Sequence, residues 1–322
     1  MNFYSNSAQL AQHHSAIKQH WLHCQQGYFN GSNGRLFYAY HIPKTANYSV
    51  VIVNGRIESA WKYQELMWEL AKNNIAVFSY DHIGQGLSER LVTNPHVGHV
   101  TQFSDYGDDL NTFITNLVLP QQKGPLFMLS HSMGAAISCD YLSRYPNIIS
   151  GAFLSAPMFD IYTHNTPYRL ATWAAKIACW LGLSKRYAFG QSNYVNTPYH
   201  ENQLTHCPTR YQRFRALYQS EAELCLGGVS FGWLNQTFRF IANLPDLKIQ
   251  TPLFIASAEQ DEVVNNHAQI RFSHAHPNAN LKVFSGAKHE LLCEKDEIRH
   301  AVLSEFYQFC DSLGLTAKDT GS

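Results

Sequence analysis

The sequence has no C-x-x-C pair, no H-E-x-x-H and no run of about 18 apolar residues, and each absence excludes something. Its seven cysteines, at 24, 139, 179, 207, 225, 293 and 310, are odd in number and irregular in spacing. That argues against a secreted disulfide framework and for a reducing compartment. Without a long apolar run, no segment is expected to span a bilayer, although attachment to a membrane surface stays open. Met1 to Leu10 offer neither the basic nor the apolar region of a signal peptide. An excess of one charge is missing too, with 24 basic residues against 24 acidic ones. No global field therefore points to nucleic acid, and no nucleic-acid motif is present. Seventeen histidines invite a metal reading, but the loose pair His274-Ala275-His276 beside Pro277 is a poor match to ligand spacing. Neither a metal nor another cofactor is expected. Gly84-Gln85-Gly86 lacks the third glycine and the following helix of a dinucleotide loop, and reads as a tight turn.

What the chain does have is 322 residues, 45% of them hydrophobic, enough for one large domain with an insertion. Its organising stretch is Leu126-Phe127-Met128-Leu129-Ser130-His131-Ser132-Met133-Gly134-Ala135-Ala136. An apolar strand ends abruptly in small and polar residues, and a helical pattern starts at once. This is the outline of a nucleophile elbow, a strained strand-to-helix turn that presents a serine hydroxyl, here Ser132. Ser130 stands where G-x-S-x-G has its first glycine, and Gly134 supplies the second. A small-residue turn whose serine caps the helix is the competing reading.

Around it, strand and helix patterns alternate. Phe29 to Arg35 leads into Leu36 to Tyr40 as a hairpin, and Ser49 to Val53 reads as a buried parallel strand. A helix carries Tyr63, Leu66, Met67 and Leu70, and Ile75 to Tyr80 is the next strand. A helix over 105–119 precedes the elbow strand, and Gly151 to Ala156 follows the elbow helix. The rhythm breaks between Pro157 and Leu247, then resumes at Pro252 to Ser257, Leu281 to Phe284 and a last helix from Ile298 to Leu313. The expected fold is α/β, a mostly parallel sheet with helices on both faces. An N-terminal arm (1–27) precedes a core in two parts (28–156 and 248–314), split by a helical cap or lid (157–247). A tail (315–322) ends the chain. A late insertion of this kind sits over the carboxyl ends of the strands, where ligands bind in open α/β sheets.

A serine hydroxyl needs an adjacent base, itself oriented by a third group. In an elbow fold the partners follow as acid and then histidine, each after a strand. Asp261 follows the strand at 253–257, flanked by Glu259 and Glu262 as rival acids, and His289 follows the strand at 281–284. Oxyanion donors are expected from the backbone N–H of Met133, next to the nucleophile, and of Arg56, in Asn54-Gly55-Arg56 after the early strand. Gly55 would let the backbone approach the substrate; an ordinary Asn-Gly turn is the alternative.

Several blocks, taken together, resemble bacterial lysophospholipases, α/β-hydrolases related to monoacylglycerol lipases. They are Gly55-Arg56-Ile57-Glu58-Ser59 with Lys62-Tyr63, Asp81-His82-x-Gly84-Gln85-Gly86, His131-Ser132-Met133-Gly134, Ala156-Pro157-Met158-Phe159, Gly227-Gly228 with Trp233, and Gly286-Ala287-x-His289-Glu290. One departure is Asn54, where monoacylglycerol lipases usually carry His. The resemblance implies Ser132 as nucleophile, Asp261 as orienting acid, His289 as base, and a cap that accepts a single acyl chain. It implies a lysophospholipid or other monoacyl ester as substrate, and a cytoplasmic protein at the inner face of the inner membrane. General esterase, monoacylglycerol lipase and acyltransferase activities share the same triad, and a lipid-binding protein without catalysis is the reading from another class. Trp233 is expected to meet the substrate. In the cap, Tyr211, Phe214 and Tyr218 form a helical stripe beside Arg210 and Arg213. Those arginines meet a substrate phosphate in one reading and are solvated neighbours of a core-facing stripe in the other.

Overall fold

A computed structural model describes residues 1–163 and 166–319. Helix α1 (Leu10–His23) leads into the hairpin β1 (Gln25–Asn30) and β2 (Arg35–His41), followed by β3 (Tyr48–Val53), α2 (Gln64–Lys72) and β4 (Ile75–Tyr80). Then come α3 (Ser104–Phe113), β5 (Leu126–His131), α4 (Met133–Arg144) and β6 (Gly151–Ser155). Helices α5 (Tyr168–Trp180), α6 (Pro208–Ser220) and α7 (Phe231–Asn243) interrupt the alternation, and β7 (Leu253–Ala258), α8 (Asn266–Ala275), β8 (Ala279–Phe284) and α9 (Asp296–Asp319) complete it. The strands form an eight-stranded sheet in the order β1-β2-β4-β3-β5-β6-β7-β8. β1 and β2 are antiparallel, and every pairing from β4 through β3 to β8 is parallel. This is the α/β-hydrolase arrangement.

The strand period divides the core. Along β3, Val51 and Val53 point to the layer holding α3, α4 and α8, while Val50 and Ile52 point to the layer of α1, α2 and α9. Burial on both faces is what makes β3, β4, β5 and β7 read as unbroken apolar runs.

Three boundaries differ from the sequence expectation. The arm is a packed helix that buries Leu10, Ile17 and Trp21, and the first strand already begins at Gln25. The helix expected over 105–119 leaves α geometry after Phe113 and continues as a π-turn over Ile114–Val118. The last helix runs on to Asp319, through residues expected as tail; residues 320–322 lie outside the described residues. The interrupting segment is helical, as its pattern suggests, with α5 packed on α7. No described helix is long and apolar enough to cross a membrane.

Candidate active site

Strand β5 is fully buried and delivers Ser132 to its carboxyl end. Ser132 has φ 52° and ψ −117°, a left-handed conformation that a serine rarely adopts. The turn is held by its own backbone: Ser132 N donates to Ser155 O at 3.0 Å, and Met158 N donates to Ser132 O at 3.1 Å. A Cβ at position 134 would collide with the carbonyls of Val53 and Asn54, so glycine alone lets α4 lie this close to β3. Ser130 fits in place of the usual glycine because its hydroxyl is paired with Ser138 Oγ at 2.6 Å, one helical turn into α4.

The structure brings Ser132, His289 and Asp261 together. His289 Nε2 lies 3.0 Å from Ser132 Oγ, and its Nδ1 lies 2.7 Å from Asp261 Oδ2. The other carboxylate oxygen, Oδ1, accepts the N–H groups of Val263 (2.8 Å) and Val264 (3.0 Å). Burial alone would raise the Asp261 carboxyl, but its bonds to His289 and to these N–H groups outweigh burial and hold it below the usual carboxylate range. Nδ1–H therefore donates to Asp261, leaving Nε2 free to accept the serine proton. Glu259 is turned outward and accepts from Ser285 Oγ and Gly286 N, and Glu262 is exposed.

The loop at 54–60 faces the elbow and is held from several sides. The segment read from sequence as a tight turn is its buttress. His82 Nε2 donates to Asn54 O at 2.9 Å, and Gln85 Nε2 donates to both Gly55 O and Glu58 O at 2.8 Å. Asp81, pushed up to about 7 by burial, accepts the N–H groups of Ala60 and Leu87. Glu58 bends back to accept the Gly55 N–H and the Tyr63 hydroxyl. The N–H groups of Arg56 and Met133 find no hydrogen-bond partner among the described residues. A Cβ at Gly55 would lie 3.2 Å from Ser132 Cβ and 3.0 Å from Glu58 Oε2, so any side chain there would press on the elbow by a few tenths of an ångström.

Sequence reasoning did not find the charged cluster beneath the elbow. Lys62 Nζ sits 2.5 Å from both Glu58 Oε1 and Glu290 Oε1. His131 Nε2 faces the same carboxylates at 3.8 and 3.9 Å, while its Nδ1 donates to Ser155 O. Burial lowers His131 against the pull of the two glutamates. Burial would raise Glu58, but Lys62 and His131 overcome it and bring the carboxyl down to about 2. Glu58, His131 and Glu290 could offer ligand atoms to a metal ion, but the Lys62 ammonium already supplies the positive charge there. His20, Cys24 and His41 form a second possible ligand group, between α1 and β2 and away from the elbow. The i,i+4 spacing of Glu58 and Lys62 was the available signal; Glu290, 228 residues beyond Lys62, gave none.

Above the triad lies a cavity of about 670 Å³, lined from the core by Ser132, His289 and Gly55 and from the helical insertion by Phe189, Trp233 and Phe238. Arg210 and Arg213 do not line it. Arg210 points into the body of the protein, where Nε meets Glu65 Oε1 at 2.9 Å and Nη1 meets Asp296 Oδ1 at 2.8 Å and Glu294 O at 2.8 Å. This corrects the expectation of a phosphate contact there, because Glu65 and Asp296 already pair with its charge. Arg215 lines the cavity instead of Arg213. Two residues apart on a helix is about 200°, so only one of that pair can face the cleft.

The profile of the family described as serine aminopeptidase, S33, matches residues 44–296. The chain belongs to that family of serine hydrolases. Among similar proteins, lysophospholipase L2 of Escherichia coli is 35% identical over 275 residues, covering 81% of this chain and 79% of that protein. The probable lysophospholipase L2 of Haemophilus influenzae is 34% identical over 263 residues, covering 81% and 82%. In fold, the chain is similar to a soluble variant of the monoglyceride lipase of Saccharomyces cerevisiae, with a TM-score of 0.70 at 21% identity over 90% of this chain and 96% of that one. Membership agrees with an elbow serine that heads a hydrogen-bonded His–Asp pair.

Proposed function

We infer that the protein hydrolyses the carboxylic ester of lysophospholipids or other monoacyl lipids, with Ser132 as nucleophile, His289 as base and acid, and Asp261 as orienting carboxylate. The observation that carries this reading is the continuous Ser132–His289–Asp261 line at the floor of an apolar-capped cavity. Ser132 Oγ attacks the ester carbonyl while His289 Nε2 takes its proton. The carbonyl oxygen becomes an oxyanion facing the N–H groups of Arg56 and Met133, each donor worth roughly 10²–10³ in turnover. Collapse breaks the bond to the glycerol oxygen, which leaves with the proton from His289, and water then releases the fatty acid from Ser132 by the same route. Residues 25–156 and 248–319 serve as the hydrolase core and 157–247 as the cap that encloses one acyl chain. The names of the lysophospholipase relatives support the substrate class.

The test is a panel of lysophospholipids, monoacylglycerols and short esters, with a fluorophosphonate probe alongside. Wild type should label at Ser132 and release fatty acid, and folded Ser132→Ala should lose both, with turnover down by about 10⁶. Absence of labelling in wild type would mean a lipid-binding protein without catalysis.

The same reading includes contact with an anionic membrane surface, on the inner face of the inner membrane for a cytoplasmic protein. Trp173, Trp180 and Phe189 are 61%, 84% and 82% exposed on α5 and the segment after it. Arg169, Lys176, Lys185 and Arg186 accompany them, and no Asp or Glu occurs between residues 161 and 200. Aromatic residues with basic neighbours suit a lipid interface. Sedimentation with phosphatidylglycerol vesicles should capture wild type and lose Trp173→Ser/Trp180→Ser; equal capture of both would reject this surface.

A further inference from the structure

Most of the charged groups that line or flank the cleft are already paired. Lys62 lies between Glu58 and Glu290, Asp261 is on His289, and Arg210 is on Glu65 and Asp296. Arg56 is the exception beside the triad. It is one of the residues that line the cavity, and its guanidinium lies beside two others, Gly227 and Trp233. It is anchored on one side only, by Nη1 donating to the cap carbonyl of Gly227 at 2.8 Å, with its guanidinium 5.9 Å from the centre of the Trp233 ring. No carboxylate pairs with it among the described residues, and Nε and Nη2 have no recorded acceptor. Burial without an acid pulls this guanidinium down to about 10, so it remains charged at neutral pH. A cation held in a cavity without a counter-charge is costly unless a ligand supplies one.

We propose that the side chain of Arg56 is the phosphate-reading group of the cleft, taking the phosphodiester of a glycerol-linked lysophospholipid while its own backbone N–H faces the ester being cleaved. This rests on the substrate reading given above and narrows it to phosphate-bearing esters. The geometry suits such a substrate, because its phosphate lies one glycerol's length from the ester, and one residue here offers donors to both ends. A guanidinium also matches phosphate oxygens better than an ammonium does. Arg215 is the rival cation. It too lines the cavity without a carboxylate, but its guanidinium lies 5.0 to 5.8 Å from the ring centres of Tyr194, Tyr211 and Phe214, and its Nη1 donates to the Tyr194 hydroxyl.

The test compares wild type, Arg56→Gln, Arg56→Lys and Arg215→Gln on a lysophosphatidylethanolamine and a monoacylglycerol of the same acyl chain. The readout is the ratio of the two kcat/KM values, so a general loss from disturbing the loop cancels. Arg56→Gln should lower the ratio by roughly 10- to 100-fold, the worth of a charge-assisted hydrogen bond. Arg56→Lys should recover part of it, and Arg215→Gln should leave it within about twofold of wild type. Glycerol 3-phosphate should inhibit monoacylglycerol cleavage by wild type, less so in high salt, and much more weakly in Arg56→Gln. An unchanged ratio in Arg56→Gln, or a larger effect from Arg215→Gln, overturns the proposal. Wild type that cleaves monoacylglycerols alone rejects the lysophospholipid reading. Glycerol 3-phosphate then decides by itself: inhibition lost in Arg56→Gln supports the phosphate site, and no inhibition of wild type removes it.

Discussion

Replacing Asp261 by Asn tests the triad at its least obvious member. Every neighbour of this carboxylate is a donor: His289 Nδ1 at 2.7 Å on one oxygen, Val263 N at 2.8 Å and Val264 N at 3.0 Å on the other. An amide must turn its NH₂ toward one side. Turned to the backbone, it sets donor against donor and loses two charge-assisted bonds, each worth about 1.5–3 kcal/mol. Turned to His289, it makes Nδ1 an acceptor, so the proton moves to Nε2 and the ring cannot take one from Ser132. The backbone clash disfavours the first arrangement, and the second should lower kcat by about 10⁴, or about 5 kcal/mol in the barrier. Glu259→Gln touches only an exposed contact with Ser285 and Gly286, and Glu262→Gln an exposed side chain, so both should stay within about threefold. The assay is fatty-acid release from a lysophospholipid, with thermal melting to confirm folding. Should Glu259→Gln be the most damaging of the three, or Asp261→Asn retain a tenth of wild-type turnover, the orienting role given to Asp261 is wrong.

Glu58 is held at about 2, below its ordinary 4.5, so its stabilisation is full above pH 4.5 and is lost as pH falls toward 2. Glu58→Gln should flatten the acid side of the melting-temperature profile in that window; an unchanged slope would show that the Lys62 cluster does not couple to folding. Gly134→Ala should destabilise the fold by about 1–3 kcal/mol in denaturant titration, because the added methyl meets the Val53 and Asn54 carbonyls, and a neutral result would contradict the close approach of α4 to β3. Catalytic efficiency should rise with acyl length until the cavity is full, at about 0.8 kcal/mol per buried methylene. Trp233→Ala should weaken long-chain esters while sparing acetyl esters, and equal losses on both would assign Trp233 to the fold.

Much of this was legible in sequence for local reasons. Buried strands announce themselves as apolar runs, and Ser132 and Asp261 each follow one, while His289 follows the largely exposed last strand β8, so chain order and topology placed them. What escaped depends on contacts across the chain. The pairing of Lys62 with Glu290 leaves no trace in either neighbourhood. The turn at Asp81 to Gly86 looks ordinary until its side chains are seen holding the loop at 54–60. The α6 stripe of Tyr211, Phe214 and Tyr218 gave the direction of the buried face correctly. Helical periodicity could not say that Glu65 and Asp296 wait opposite Arg210, so the pattern alone could not show that this arginine turns away from the cleft.

The loop at 54–60 also joins the helical insertion to the elbow. Tyr218 in α6 donates its hydroxyl to Ile57 O at 2.6 Å, Arg56 reaches the cap at Gly227, and Arg210 ties α6 to Glu65 and Asp296. Helix α5, by contrast, buries only Ala175 and Ala178. The helical insertion is therefore firmly seated over the loop at 54–60 and loosely packed on its outer helix, an uneven local stability of the kind that lets one part move while another stays fixed. On the proposed mechanism, binding energy gathered from the head group and the acyl chain would act on a loop whose N–H faces the reacting ester. Interactions remote from the scissile bond raise turnover only when they help to hold groups that stabilise the transition state. If the Arg56 N–H is the oxyanion donor proposed above, residue 56 would carry that coupling, because its side chain is bonded to Gly227 in the insertion.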